Sequence, residues 1–335
     1  MARITVLGAG GWGMALANSF AYNNHNVTLW SAFESEVNGL KANRGNEKLL
    51  KGVKLHENIV IDGDINCASA SDIVVIAVPS FAVRSVASML KSVINEKTVV
   101  VNVAKGFETE TLTLLSDVIA QELPYNPVVI LSGPSHAEEV ALGVPTSLVA
   151  ACSDKAIAQY VQDELISPVL RVYIHDDVVG VEIGGALKNV IALCCGICDG
   201  MKLGDNTKAA LMTRGLTEIA RLGVKMGAKA DTFAGLTGMG DLIVTCMSMH
   251  SRNRRFGILI GEGVPADEAL KQIGMTVEGY HAAAVIARLC EKYDVEMPIS
   301  NQCYTILYGA TPPKEAIKNL MGRPKKYENE SAWID

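Results

Sequence analysis

The 335-residue chain lacks the features that would take it out of the ordinary globular class. It has no long basic run. Thirty Lys+Arg stand against 36 Asp+Glu, a net charge of −6, whereas a nucleic-acid scaffold needs many phosphate-neutralising side chains. Charged residues are only 20% and apolar residues 49%, a balance that excludes a disordered chain. Mean hydropathy is +0.23, yet no stretch approaches the ~20 continuous apolar residues that cross a bilayer. Met1-Ala2-Arg3 passes at once into a short β-like run, without the apolar core and cleavage site of a secretory signal. Internal repeats and low-complexity segments are absent. The expectation is a cytoplasmic protein with neither nucleic acid nor membrane as partner. Its length suits two domains and lets it bury roughly 75% of its unfolded surface without a disulfide or metal staple.

The cysteines have no metal-binding pattern. Eight are scattered at 67, 152, 194, 195, 198, 246, 290 and 303, mostly in apolar runs, as expected of reduced thiols filling a core. Cys195 and Cys198 form one C-x-x-C, but no second pair or histidine cluster completes four zinc ligands. In the helical-looking run 190–198 they read as an i, i+3 pair of small apolar side chains, and no metal site is expected.

What is present divides the chain in two. The first half alternates β-rich runs with helical patterns, the arrangement of parallel sheets. Ile4–Leu7 and Val27–Trp30 read as strands flanking a helix over Trp12–Tyr22. Ile73–Val78 and Val99–Val103 are continuous β-branched runs suited to strands buried on both faces, and Val128–Leu131, Ser147–Ala151 and Arg171–Ile174 continue the series. After about residue 180 the β-runs stop, and Val181–Cys198, Asn206–Met226, Ser251–Gly261 and Val277–Tyr293 suit helices bordered by Gly or Pro. The fold class is therefore α/β, an N-terminal mostly parallel sheet domain (1–180) followed by an all-helical domain (181–335), with a cleft between them. The polar tail from Arg323 reads as loosely ordered.

Gly8-Ala9-Gly10-Gly11-Trp12-Gly13 follows the first strand and opens a helix, the context in which G-x-G-x-x-G marks dinucleotide binding. Gly8 permits the tight turn, Gly10 lets backbone approach a pyrophosphate, and Gly13 lets the helix pack on the sheet. The phosphates then meet free N–H groups and the positive end of the helix dipole. After the second strand an acid would bind the ribose of NAD, and an arginine the 2′-phosphate of NADP. The sequence there is Ser31-Ala32-Phe33-Glu34, with no cation, so NADH is expected to serve at least as well as NADPH. Glu34 is the nearest acid; Phe33 and Phe81 are candidates both for an adenine contact and for ordinary core positions.

In the second half, Lys188 stands within an apolar, Gly-rich helical stretch, Val181–Val190. Desolvation lowers a lysine's pKa towards neutrality, as a general base for an alcohol proton requires. Gly238-Met239-Gly240 would carry Asp241 into a tight turn. Ser251-Arg252-Asn253-Arg254-Arg255 sets a basic cluster at a helix start, where guanidinium forks and free N–H groups can clamp a phosphate.

Six ordered motifs together resemble the NAD(P)-dependent glycerol-3-phosphate dehydrogenases of the soluble bacterial type, nearly end to end. They are the glycine loop at 8–13, Ala104-Lys105-Gly106, Ser132-Gly133-Pro134-Ser135-His136-Ala137, Gly184-Gly185-Ala186-Leu187-Lys188-Asn189, Gly235-Leu236-Thr237-Gly238-Met239-Gly240-Asp241 and Ser251-Arg252-Asn253. The resemblance implies a Rossmann domain joined to a helical domain, NAD or NADP as cofactor, and interconversion of sn-glycerol 3-phosphate and dihydroxyacetone phosphate for phospholipid synthesis. It also implies a homodimer. Lys188 matches the family's proton acceptor, with Asp241 and Lys105 assisting. Lys105, Gly133, Ser135, Lys188, Asp241, Ser251, Arg252 and Asn253 match substrate positions. Gly11, Trp12, Lys105, Ala137, Arg252, Thr276 and Glu278 match cofactor positions, joining Gly8, Gly10, Gly13, Ala32, Phe33 and Phe81. Two departures stand out: Gly11 where many members have Ser, and Ala32-Phe33 where many bacterial members carry His or Arg. A β-hydroxyacid dehydrogenase of the 6-phosphogluconate type would share the fold but lack the Ser251-Arg252-Asn253 clamp, and a non-catalytic dinucleotide sensor would not need Lys188 in a cleft.

Overall fold

Strands buried on both faces need helices above and below them. In the computed structural model, which describes residues 1–325, 327 and 328, the runs Arg3–Leu7 (β1), Ile73–Ile76 (β4) and Val99–Asn102 (β5) form such a buried centre. Around them stand Asn26–Trp30 (β2), Val60–Asp62 (β3), Val128–Ser132 (β8), Thr146–Ala151 (β9) and Leu170–His175 (β10). The strand order is β10-β9-β8-β5-β4-β1-β2-β3, parallel except where β8 meets β9. Six helices cover the sheet: Gly11–Tyr22 (α1), Glu34–Asn43 (α2), Val83–Leu90 (α3), Leu115–Glu122 (α4), Ala137–Ala141 (α5) and Lys155–Leu165 (α6). One face packs against α1 and α6, the other against α3 and α4.

Three strands escaped the sequence reading. β3 has only three residues, and Phe107–Glu108 (β6) with Thr113–Leu114 (β7) is a two-residue antiparallel pair outside the main sheet. That hairpin sends Phe107, Leu112 and Leu114 into the core of the helical half.

The helical half comprises Val178–Gly200 (α7), Asp205–Lys225 (α8), Asp241–Met247 (α9), Arg252–Gly261 (α10), Ala266–Ile273 (α11), Glu278–Tyr293 (α12), Pro298–Tyr308 (α13) and Pro313–Met321 (α14). Every residue from Gly180 to Cys198 is buried, enclosed by α8, α9, α10 and α12. The sequence showed no membrane-length apolar run, but α7, at 23 residues, does reach that length and apolarity, and 89% of its apolar window is buried inside the protein. The window tolerates Lys188 and Glu182, which is why a search for continuous apolar residues passed over it. Cys195 and Cys198 both lie on this helix and are buried; hydrogen bonding to Cys246 and burial push the Cys195 thiol far up, and burial takes Cys198 to about 12. Most of the polar tail expected to be loosely ordered lies outside the described residues.

Two buried carboxylates fasten α7 and α8 to their neighbours. Glu182 accepts from the Ser116 amide (3.0 Å) and hydroxyl at the start of α4. Glu218 accepts from Ile299 and Ser300 at the start of α13. Burial pushes both carboxyls up to about 7.

Candidate active site

The strand order reverses beside β1, and ligands of open α/β sheets bind outside the strand ends at such a point. There Gly8 has φ +117°, and a Cβ on it would lie 2.7 Å from the Ala77 carbonyl oxygen; one on Gly13 would lie 1.9 Å from the Gly8 oxygen. A Cβ on Gly10 would meet nothing within 4 Å, so the space in front of α1 is open to a ligand. No side chain caps α1 and its first turn holds no acid, which leaves its amides to an incoming anion. Ala137, at the start of α5, stands 3.9 Å from where a Gly11 side chain would begin, with the Leu49 carbonyl at 3.3 Å on another side. Trp12 packs on the sheet core.

Phe33 and Phe81 are 65% and 78% exposed at the ends of β2 and β4, so the core alternative for them fails. Ala32 and Glu34 are also exposed.

Across the crevice the loop after β5 presents Lys105. The fully buried Asn102 side chain braces it, donating to the Ala104 carbonyl and accepting from the Ala104 amide, each at 3.1 Å. Lys105 Nζ donates to Asp241 Oδ2 (2.6 Å) and to the Gly133 carbonyl (3.3 Å), to which Ser135 Oγ also donates. The other Asp241 oxygen accepts from Lys188 Nζ, which also donates to Thr245 Oγ1 at 2.5 Å. Asp241 is not in a tight turn as expected: the glycines form a single π-helical turn, Leu236–Gly240, and Asp241 is the first residue of α9. Helical spacing then puts Thr245 one turn on, against the same ammonium.

Burial is the largest influence on Lys188. It lowers the ammonium's pKa to about 8, Lys105 pushing the same way and Asp241 opposing. Burial alone would raise Asp241, but the ammonium groups of Lys105 and Lys188 outweigh it and hold the carboxyl below its usual range.

Helix α10 approaches α7 glycine to glycine. A Cβ on Gly196 would lie 2.1 Å from the Arg254 oxygen, and one on Gly257 2.0 Å from the Leu193 oxygen. This contact sets the α10 N-terminus beside Asn189. Ser251 caps the helix through Arg254 N (3.2 Å). Asn253 donates to Asn189 (2.9 Å) and accepts from the Gly279 amide, while Asn189 donates to Glu278 (2.8 Å). Asn253 is thus held inside a network that also orients Glu278, with a single amide N–H left over. Arg254 is bound by Asp199 and the Met247 carbonyl. The guanidinium groups of Arg252 and Arg255, both half-buried residues, make no hydrogen bond or ion pair among the described residues, and Arg252 is the one in the first position of the helix. Thr276 is exposed just before α12.

The sequence reading missed Thr245, Asn102, Asn189 and His136. Burial and the nearby Lys188 charge hold the His136 pKa down, and its ring lies 5.8 Å from that of His250, next to Ser251. Asn189 and His136 are defined by neighbours distant in sequence, whereas Asn102 bonds Ala104 two residues on and Thr245 follows Asp241 by four, the local signals that were there to read.

Comparisons with known proteins cover both halves of the chain. Residues 3–158 match the family model of the NAD-dependent glycerol-3-phosphate dehydrogenase N-terminus, and residues 177–318 that of its C-terminus. A Fusobacterium nucleatum protein named glycerol-3-phosphate dehydrogenase (NAD(P)+) is 50% identical over 334 residues, 99% of this chain and 100% of the relative. A Clostridium perfringens protein of the same name is 50% identical over 329 residues, 98% and 99% of the two chains. The crystal structure of glycerol-3-phosphate dehydrogenase from Coxiella burnetii superposes with a TM-score of 0.92 at 38% identity, covering 96% of this chain and 99% of that one.

Proposed function

The chain belongs to the NAD-dependent glycerol-3-phosphate dehydrogenase family, and from that premise we propose how its own residues carry the reaction. It is an NAD(P)-dependent oxidoreductase that interconverts sn-glycerol 3-phosphate and dihydroxyacetone phosphate, the former a precursor of glycerophospholipids. The bound nicotinamide supplies the hydride acceptor or donor. The open cradle at Gly10 and the uncapped α1 fit its dinucleotide, with Gly11, Trp12 and Ala137 beside the phosphates and Phe33 and Phe81 at the adenosine end.

Lys188 is the proton-transfer group. Neutral, it takes the C2 hydroxyl proton of glycerol 3-phosphate; as an ammonium, it polarises the ketone and returns that proton. The observation that carries this reading is the burial that brings its pKa to about 8, because a general acid–base works best near the operating pH. Asp241 orients Lys188 by gripping it and Lys105 on opposite oxygens. Lys105, tied to Gly133, lies at the same oxygen of the substrate. Arg252 takes the phosphate at the α10 N-terminus with Ser251 and the remaining Asn253 N–H, so unphosphorylated glycerol would leave a partly buried cation unpaired.

The division into a dinucleotide-binding unit, 1–180, and a helical substrate unit, 181–335, is proposed on the same grounds: β10 ends at His175 and α7 starts at Val178. The family likeness supports a homodimer working in the cytoplasm, and sedimentation of the purified protein tests the dimer. The reaction itself is tested by NADH absorbance. It should fall on adding dihydroxyacetone phosphate and stay constant with unphosphorylated dihydroxyacetone; turnover of both alike would remove the phosphate site.

A further inference from the structure

The residue after β2 is where Rossmann folds place the acid that binds the adenosine ribose, about 20 residues beyond the glycine loop. Here it is Ser31, buried and uncharged, its amide donating to the Asp62 carbonyl. The Ser31 hydroxyl accepts from the Phe33 amide (3.2 Å), so its single proton is committed elsewhere, to Glu36 Oε2 at 2.6 Å. Glu36 lies in the first turn of α2, where the helix dipole favours a negative charge. Among the described residues no other side chain donates to this carboxylate. Glu36 also lines a cavity of about 560 Å³ between α2 and the 45–54 loop, the loop whose Leu49 carbonyl abuts Gly11 of the dinucleotide turn.

We infer that Glu36, held by Ser31, is the residue that binds the adenosine ribose hydroxyls and sets the preference for NADH over NADPH. The inference rests on the dinucleotide reading above and puts Glu36 in place of Glu34, the nearest acid in the sequence, which is exposed. A carboxylate fixed at this point accepts from the 2′-hydroxyl and repels a 2′-phosphate. The nearby cations do little to offset that. Arg44 gives its guanidinium to the Ile59 and His56 carbonyls, and Lys54, in the same cavity, donates to the Asn43 carbonyl (3.1 Å). Lys48 also lines the cavity but is exposed, where solvent weakens its charge.

Direct binding tests this without turnover. Dissociation constants for NADH, NADPH, 5′-AMP and adenosine 2′,5′-bisphosphate are measured by calorimetry on the full chain, on Glu36→Gln, Glu36→Asp and Ser31→Ala. The wild type should prefer NADH by about tenfold or more, the size of one charge-assisted hydrogen bond. Glu36→Gln should erase about tenfold of that preference, by weaker NADH and tighter NADPH binding, and the two fragments should change in parallel. Ser31→Ala should lose part of the preference, and Glu36→Asp should keep most of it. An unchanged ratio in Glu36→Gln, or a wild type that prefers NADPH, overturns the inference. Tight dinucleotide binding with no reduction of dihydroxyacetone phosphate would instead count against the assigned chemistry and leave the ratio to be judged alone.

Discussion

Lys188 and Asp241 form an ion pair buried where α7 meets α9, each residue at most 5% exposed. An isolated buried charge pair is a poor source of stability. This one is kept close to neutrality instead, because desolvation pulls Lys188 down to about 8 while Asp241 stays ionised. The sign of the pH dependence follows. With Lys188 as the proposed proton-transfer group, oxidation of glycerol 3-phosphate needs it neutral, so kcat/KM in that direction should rise with pH through about 8. Reduction of dihydroxyacetone phosphate needs the ammonium and should decline above the same point. Lys188→Ala should lower kcat by at least ~10² in both directions with NADH binding retained. Near wild-type turnover would leave Lys188 a structural residue.

Asp241→Asn separates positioning from chemistry. It removes the negative charge that bridges Lys105 Nζ and Lys188 Nζ, so the Lys188 pKa falls further and the rise in the oxidative pH profile moves to lower pH. It also leaves buried charge uncompensated, at a cost of about 3–5 kcal/mol. Denaturant unfolding and the pH profile read the two effects independently; an unmoved profile would mean that Asp241 is not what sets the lysine.

Arg252→Ala should raise KM for dihydroxyacetone phosphate at least about tenfold, since a charge-assisted bond contributes ~1.5–3 kcal/mol. The remaining KM should respond less to salt. An unchanged substrate KM with weaker NADH binding would assign Arg252 to the dinucleotide alone.

Much of this was legible locally. The glycine turn, the long β-branched strands and Lys188 in an apolar helix each follow from a few neighbouring residues. The end of β2 was legible only as an absence of cations, because the acid facing it comes from the next helix and is turned back by Ser31. Similarly, Thr245 and Asn189 matter through contacts 57 and 89 residues away, with Lys188 and Glu278, which no window of sequence contains. Short elements such as β3 and the β6–β7 hairpin carry too few residues for a periodicity.

The pair Glu182 and Glu218 makes a stability prediction unrelated to catalysis. Burial raises both carboxyls to about 7, above the 4.5 of an unperturbed glutamate. The folded state therefore holds more protons than the unfolded state between those values, and stability falls as pH rises from about 4.5 through about 7. Each group contributes at most about 3 kcal/mol to that fall. Urea midpoints at pH 5 and pH 8 measure it, and Glu218→Gln should flatten the dependence. A midpoint that climbs over this range would mean that both carboxylates are ionised in the fold.

Cofactor choice can also be moved by design. Ala32 and Phe33 are exposed, uncharged and adjacent to Ser31, beside the proposed ribose site. A guanidinium placed there can meet a 2′-phosphate without displacing a buried side chain. Ala32→Arg should therefore shift the ratio of kcat/KM towards NADPH by ~1–2 kcal/mol, the size of a partly exposed charge-assisted contact. That is roughly 5–30-fold. Because Glu36 stands behind the same position, Ala32→Arg alone would form an ion pair with it and lose part of the effect. The double variant with Glu36→Gln should then exceed the sum of the two single changes. Strict additivity would show that the two residues do not share the ribose site, and an Ala32→Arg enzyme with an unaltered NADH to NADPH ratio would place the adenosine elsewhere.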